Sequence, residues 1–181
     1  IKTAREYLGC GVCAADLAGA ESAYPMSQFM ELFQNARKLD MPFTIHAGEC
    51  GSVQNVIDSV SAGAGRIGHG IALKGHSHIQ RELAERGTGI EMCPISNLQT
   101  KAVNSTAEYP IREFLNAGLK VSINTDNRTV SNTSLVKELQ FIQTEYGIRD
   151  EEILLLMKNA VDTAFASEDE KERLYSELQI P

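Results

Sequence analysis

The hydrophobic pattern of the chain changes repeatedly between two periods, and the changes fall at glycine or proline residues. Short apolar runs, typical of buried strands, begin near residues 12, 43, 66, 89 and 119. Between these runs apolar residues recur at helical spacing, as at Val53, Val56, Ile57 and Val60. The pattern therefore predicts strands that alternate with helices.

The predicted strands cover residues 12–19, 43–46, 66–69, 89–93 and 119–125. Helices are predicted from a cap at Ser27 to Leu39, over 53–63 and 77–86, and from Pro110 in the first turn to Gly118. The remaining residues predict three further helices, and Ser167 with Glu170 forms a capping box at the start of the last.

Strand–helix units of this size imply parallel strands joined by right-handed crossovers, so the fold class is α/β. About five such units fit an open doubly wound sheet or part of a (β/α)8 barrel. A whole barrel needs about 250 residues, so the 181 residues could form only part of one, as a single domain over 1–181.

Composition narrows the possible partners. The chain has 17 Lys and Arg against 24 Asp and Glu, a net charge of −7 that argues against nucleic acid. It has no apolar run long enough for a membrane helix. Only four cysteines are present, which favours a reducing cytoplasm. The chain opens at Ile1 without Met, so we expect a processed protein or a fragment.

Polar residues follow the predicted strands at their carboxyl ends, where parallel α/β folds place their functional sites. They are Asp16 and Gly19, His46 and Glu49, His69, Cys93 and Asn97, and Asp126 and Asn127. Because two histidines, an Asp and a Glu are expected at the same rim, a functional site is favoured over purely structural roles for these residues.

The segment His46-Ala47-Gly48-Glu49 places a metal ligand beside a carboxyl group able to transfer protons, as hydrolytic metal chemistry requires. Asp126 could add an oxygen ligand from across the cavity, and His with Asp suits zinc. The residues alone leave open a tight turn with a solvated glutamate, and they do not supply the remaining ligands.

Two further motifs resemble metal-binding patterns, but we do not expect either of them to bind a metal ion. His76 and His78 lie where a helix begins, and residues two apart share a face on a strand but not on a helix. Cys10 and Cys13 form a single C-x-x-C without a second pair, which makes structural zinc improbable.

The segments DLAG (16–19), TIHAGE (44–49), RIGHG (66–70), CPISN (93–97) and SINTDN (122–127) together resemble the adenosine deaminases. The resemblance implies the C-terminal part of a zinc-dependent (β/α)8 barrel of the amidohydrolase type, with the five strands as its fourth to eighth. It further implies conversion of adenosine and 2′-deoxyadenosine to the inosine products and ammonia, in purine salvage.

By this resemblance His46 and Asp126 are zinc ligands, Glu49 is the proton donor to purine N1, and His69 lies beside the attacking water. The family's first strand carries an H-x-H pair with two further zinc ligands, and nothing before Asp16 matches it. We therefore expect the two histidines to come from an N-terminal part that this chain lacks.

The resemblance also assigns two contacts to the purine. Gly19 matches a glycine whose backbone holds the base. Asn127 stands where many relatives have an aspartate that contacts N7; an amide donates to N7 at any pH, whereas a carboxyl group must first be protonated.

Three hypotheses remain open: an adenosine deaminase, a deaminase of adenine or another purine, and an inactive fragment that keeps only the second half of the barrel. We expect the isolated chain to be inactive. We also expect it to self-associate through its open strand edges or to pair with a segment that carries the missing strands.

Overall fold

A five-stranded parallel sheet forms the centre of the molecule. The computed structural model describes residues 1–178, and its strands lie side by side in chain order. They are β1 Ala15–Leu17, β2 Phe43–Ala47, β3 Arg66–His69, β4 Gly89–Met92 and β5 Lys120–Ile123. The prediction of an α/β fold with parallel strands is confirmed.

The register of the sheet separates an apolar face from a polar one. Ile45 pairs with Ile67, Ile67 with Ile90, and Ile90 with Val121, and all four side chains are buried. Burial of a side chain of this size contributes about 1.5–3 kcal/mol. Because successive residues of a strand alternate between faces, the neighbouring row carries the residues of the opposite face, His46, Gly68, Glu91 and Ser122.

Nine α-helices surround the sheet in residues 1–178. They are α1 Lys2–Glu6, α2 Met30–Lys38, α3 Val53–Ala62, α4 Ser77–Arg86, α5 Pro94–Gln99, α6 Ile111–Asn116, α7 Leu135–Tyr146, α8 Asp150–Asp162 and α9 Glu168–Glu177. Short 3-10 turns cover Met26–Phe29, Ile71–Leu73 and Thr106–Glu108. Within the described residues, none of the helices has the length and apolar character needed to cross a bilayer.

Most predicted helix bounds agree with the structure because local signals set them. Helix α3 begins after Ser52, whose side chain accepts from the Asn55 N–H at 3.2 Å, and ends at Gly63 in the left-handed region. At α9 only half of the predicted capping box forms. Ser167 accepts from the Glu170 N–H at 3.3 Å, while the Glu170 carboxylate pairs with Arg173.

Three predicted bounds are wrong. Strand β1 has three residues rather than the predicted 12–19 and is only half-buried, because it lies at the sheet edge with one neighbour. Ser27 lies inside a 3-10 turn and caps no helix, since α2 begins at Met30. Pro110 precedes α6 and is not part of its first turn.

Candidate active site

The carboxyl ends of the strands surround an open cavity of about 410 Å³. His46 from β2, His69 from β3, and Asp126 and Asn127 from the segment after β5 all line it. Glu49 does not line this cavity, but it faces His69 from the turn after β2. Of the six residues to which the resemblance assigns a role, four line this cavity and a fifth, Glu49, lies beside them.

Within residues 1–178, one ring nitrogen of His46 contacts a carboxylate and the other makes no hydrogen bond. Its Nδ1 lies 3.1 Å from Oδ1 of Asp16 in β1. This hydrogen bond raises the pKa of His46, against the opposite effect of burial. Metal-binding histidines commonly hold a carboxylate with the nitrogen that does not bind the metal. The contact with Asp16 therefore leaves Nε2 as the nitrogen that a metal could take.

The part of the chain that the structure describes holds the Asp126 carboxylate through one oxygen. Its Oδ2 accepts from the Ser96 hydroxyl at 2.6 Å. Its backbone lies in the left-handed region, as does that of His69, and such sparsely populated conformations concentrate at functional sites. The free carboxylate oxygen can serve as a ligand in the cavity that His46 lines.

These two side chains fit zinc as part of a ligand set. An imidazole and a carboxylate are ligand types that zinc takes, and catalytic zinc sites have at least three protein ligands. No group of three or more His, Cys, Asp and Glu side chains suited to a metal ion exists within residues 1–178. The described residues therefore supply two candidate ligands, and a working site needs further ones.

Glu49 stands on a turn whose shape requires glycine. Gly48 has φ +78°, and a Cβ at this position would lie 2.8 Å from Cγ2 of Val56 and 3.2 Å from Cβ of Ala72. Any other residue would therefore be strained both by its backbone conformation and by this contact. The turn brings Glu49 back towards the ends of the strands.

The two carboxyl oxygens of Glu49 have different surroundings. Oε1 accepts from the Thr100 hydroxyl at 3.0 Å and from Nδ2 of Asn97 at 3.5 Å. Oε2 lies 3.7 Å from Nε2 of His69. Donors therefore engage Oε1, whereas Oε2 faces the buried imidazole of His69.

His69 is buried, and its Nδ1 side contacts a chain of hydrogen-bonded polar groups. Its Nδ1 lies 2.9 Å from Nδ2 of Asn97, and Oδ1 of Asn97 accepts from the Tyr109 hydroxyl at 3.3 Å. The ring also meets the His46 ring edge-on, with 5.0 Å between centroids. These contacts set the direction in which His69 Nε2 faces.

Sequence reasoning missed the helix that organises these groups, α5. Ser96, Asn97 and the following Thr100 contact Asp126, His69 and Glu49, respectively. The motif CPISN marks the segment, but six residues are too few to show helical periodicity. Proline in the first turn of α5 was the available signal.

A buried carboxylate accepts a hydrogen bond from the first turn of α5. Oε2 of Glu138 in α7 accepts from the Ile95 N–H at 3.1 Å, and burial raises the pKa of Glu138. A carboxylate at a helix N-terminus satisfies a backbone donor that the helix leaves unpaired. Glu138 therefore anchors the helix that carries Ser96 and Asn97.

The two predicted purine contacts lie at opposite sides of the site. Asn127 is exposed, and its Oδ1 accepts from the N–H groups of Thr129 and Val130 at 3.1 and 3.0 Å, which leaves its NH2 group free to donate. Gly19 lines an adjoining cavity of about 290 Å³, of which His46 is also part. A Cβ on Gly19 would meet no atom within 4 Å, so the backbone there is open to a ligand.

The histidine pair and the cysteine pair, which we do not expect to bind metal, lie away from the cavity between the strand ends. His76 and His78 stand at the start of α4, with their rings 6.5 Å apart, and Cys10 and Cys13 are exposed before β1. None of these four residues lines the cavity between the strand ends.

Comparisons with a family model and with curated proteins identify the same family. The family model described as adenosine deaminase matches residues 2–180. The adenosine deaminase of Enterococcus faecalis is 46% identical over 178 residues, which are 98% of this chain and 53% of the relative. That of Streptococcus agalactiae serotype III is 41% identical over 169 residues, 93% of this chain and 50% of the relative. The chain therefore belongs to the adenosine deaminase family.

Solved structures agree with the fold. The adenine deaminase of Arthrobacter aurescens superposes with a TM-score of 0.88 at 26% identity, over 98% of this chain and 56% of that one. An N6-mAMP deaminase from Arabidopsis gives 0.87 at 27% identity, over 98% and 52%. The prediction of an amidohydrolase-type barrel fold is confirmed. The chain spans about half the length of the curated relatives it matches.

Proposed function

We propose that the intact enzyme deaminates adenosine and 2′-deoxyadenosine hydrolytically, releasing ammonia and the inosine products, as a step of purine salvage. The observation that carries the proposal is the position of Glu49. One of its oxygens is held by Thr100, and the other faces His69 beside the cavity that His46 and Asp126 share. The 46% identity to an adenosine deaminase supports the choice of substrate.

His46, through Nε2, and the free oxygen of Asp126 would hold a zinc ion together with two histidines from outside these residues. When bound, zinc supplies a Lewis acid that lowers the pKa of water towards neutrality. The ring of His46 is kept in place for this task by Asp16, and the carboxylate of Asp126 by Ser96.

The reaction then follows from the positions of the protein groups. Glu49, protonated on Oε2, donates to purine N1, and C6 becomes electrophilic. Asp126 and His69 orient a water molecule, and Asp126 takes its proton as the water oxygen bonds to C6. The proton held by Asp126 then passes to the amino group, the C6–N bond breaks and ammonia leaves. The C6 hydroxyl proton returns to Glu49 as the C6=O bond of the product forms. The Gly19 backbone and the Asn127 amide hold the base, with Asn127 donating to N7.

A deaminase of adenine is the second candidate, because a structural neighbour at 26% identity is an adenine deaminase. An inactive half-barrel is the third, because the described residues offer only two candidate ligands. A cytoplasmic location and self-association through strand edges stay predictions.

A substrate panel tests the proposal. Adenosine, 2′-deoxyadenosine and adenine would be supplied at equal concentration to the zinc-loaded intact enzyme, and ammonia release would be measured. We expect both nucleosides to react much faster than adenine. Faster release from adenine would favour the second candidate, and no release from any purine, with stoichiometric zinc present, would contradict deamination.

A further inference from the structure

Glu21 has no role in the proposed deamination steps, but its carboxylate is bound by the turn that carries Glu49. Its Oε1 accepts from the Gly48 N–H at 2.6 Å, and its Oε2 accepts from the N–H groups of Glu49 and Cys50 at 3.0 and 3.1 Å. Consecutive backbone N–H groups that converge in this way form a concave anion site. Here the anion is a side chain of the same protein, from the loop after β1.

A fourth donor locks this arrangement to helix α3. Nδ2 of Asn55 donates to Oε1 of Glu21 at 2.9 Å, and Oδ1 of Asn55 accepts from the Met26 N–H at 3.2 Å. Asn55 is 4% exposed. Its buried amide therefore joins the Glu21 carboxylate to the segment that follows the β1 loop.

The position of Glu21 also connects the two sides of the site. It lies two residues after Gly19, and both line the cavity that includes His46. On the other side, its carboxylate binds the backbone of Glu49 itself. The loop proposed to hold the purine and the turn proposed to present the proton donor are thus tied together by one side chain.

We infer that Glu21 is a positioning residue for proton transfer, because it sets the place of the Glu49 carboxyl group relative to the bound base. The inference rests on the proposed deamination. Without the carboxylate, the three N–H groups lose a common acceptor and the turn can shift. Misplacement of a reacting group by about 1 Å can cost about 10²-fold in rate.

A double-mutant cycle separates positioning from a general structural role. Glu21→Gln and Glu49→Gln are made singly and together in the intact enzyme, and kcat for adenosine is measured alongside zinc content. Glu21→Gln should lower kcat by about 10- to 100-fold in the Glu49 enzyme and by less than about 2-fold in the Glu49→Gln enzyme, since effects of coupled residues are non-additive. An equal loss in both backgrounds would overturn the inference.

Asn55→Asp provides a second variant if Glu21→Gln does not fold. Asp keeps the acceptor for the Met26 N–H and replaces the donor to Glu21 with a carboxylate oxygen. It should lower kcat in the same coupled way and speed hydrogen exchange at Gly48, Glu49 and Cys50. Loss of kcat with unchanged exchange at these amides would contradict a role through the turn.

Glu85→Gln, on the exposed face of α4, is the matched control and should retain the full rate. If this control and the unmodified enzyme both fail to deaminate adenosine, the proposed function and the inference fall together. If both are active and the cycle is additive, the inference alone fails.

Discussion

Ser96 in α5 donates its hydroxyl to Oδ2 of Asp126 at 2.6 Å, which joins the end of β4 to the end of β5. Asp126 lines the cavity between the strand ends, and Ser96 is buried. The other carboxylate oxygen of Asp126 is the proposed zinc ligand. The orientation of a proposed ligand is therefore set by Ser96, which is not itself a proposed ligand.

We expect Ser96→Ala in the intact enzyme to weaken zinc binding by about 10- to 100-fold, the usual cost of removing a group that orients a ligand. Competition with a chelator measures the affinity. Ser105→Ala is the matched control, because Ser105 is exposed and its side chain caps no helix. Equal zinc affinity in the two variants would show that Ser96 does not orient a ligand.

His69→Ala should reduce the deamination rate much more than the zinc content. We place His69 beside the attacking water, where general acid–base groups contribute about 10²–10⁴-fold. Metal analysis and kcat would be compared in the folded variant, with the exposed His78→Ala as control. Loss of stoichiometric zinc in folded His69→Ala would instead make His69 a ligand.

The sequence predicts the site where local patterns determine it. His46, His69 and Asp126 can be found because each lies at or just after the carboxyl end of a strand, and parallel strands end on one side of a sheet. Helix α3 can be found because Val53, Val56 and Gly63 mark its face and its end.

Contacts between distant segments could not be predicted in this way. The bonds of Ser96 and Asn97 depend on how α5 crosses the strand ends, and that of Glu21 joins residues 27 to 29 positions apart in the chain. The apolar residues of strand β1 predict a buried strand, but burial is decided by the neighbours of a strand, and β1 has only β2 beside it.

Asn127→Asp should be tolerated at mildly acidic pH and should lose activity as the pH rises. The amide donates to N7 at any pH, whereas an aspartate must be protonated to do so. The N–H groups of Thr129 and Val130, which donate to this side chain, would favour the charged aspartate and lower its pKa.

A pH–rate profile measures this effect, with Asn132→Asp at an exposed position as the control. The activity of Asn127→Asp relative to the unmodified enzyme should fall towards high pH, whereas the control should follow the unmodified profile. Identical profiles for all three would mean that residue 127 does not donate to N7.

The 181-residue chain alone should bind zinc weakly and should not deaminate adenosine. His46 and Asp126 are two ligands where at least three are needed, and β1 and β5 are edge strands of the sheet. Coexpression with a segment that supplies the remaining strands and histidines should restore both properties. A monomeric protein of these 181 residues with stoichiometric zinc and full activity would overturn this prediction.

The central claim is that Glu49 is the proton donor to a purine held in this cavity, and Glu49→Gln in the intact, zinc-loaded enzyme tests it most directly. The amide keeps the size of the side chain and can still accept from Thr100, but it has no carboxyl proton to transfer. We predict that kcat for adenosine falls by about 10²–10⁴-fold, while nucleoside affinity and zinc content stay near those of the unmodified enzyme. A variant that retains a third or more of the original rate would contradict the account.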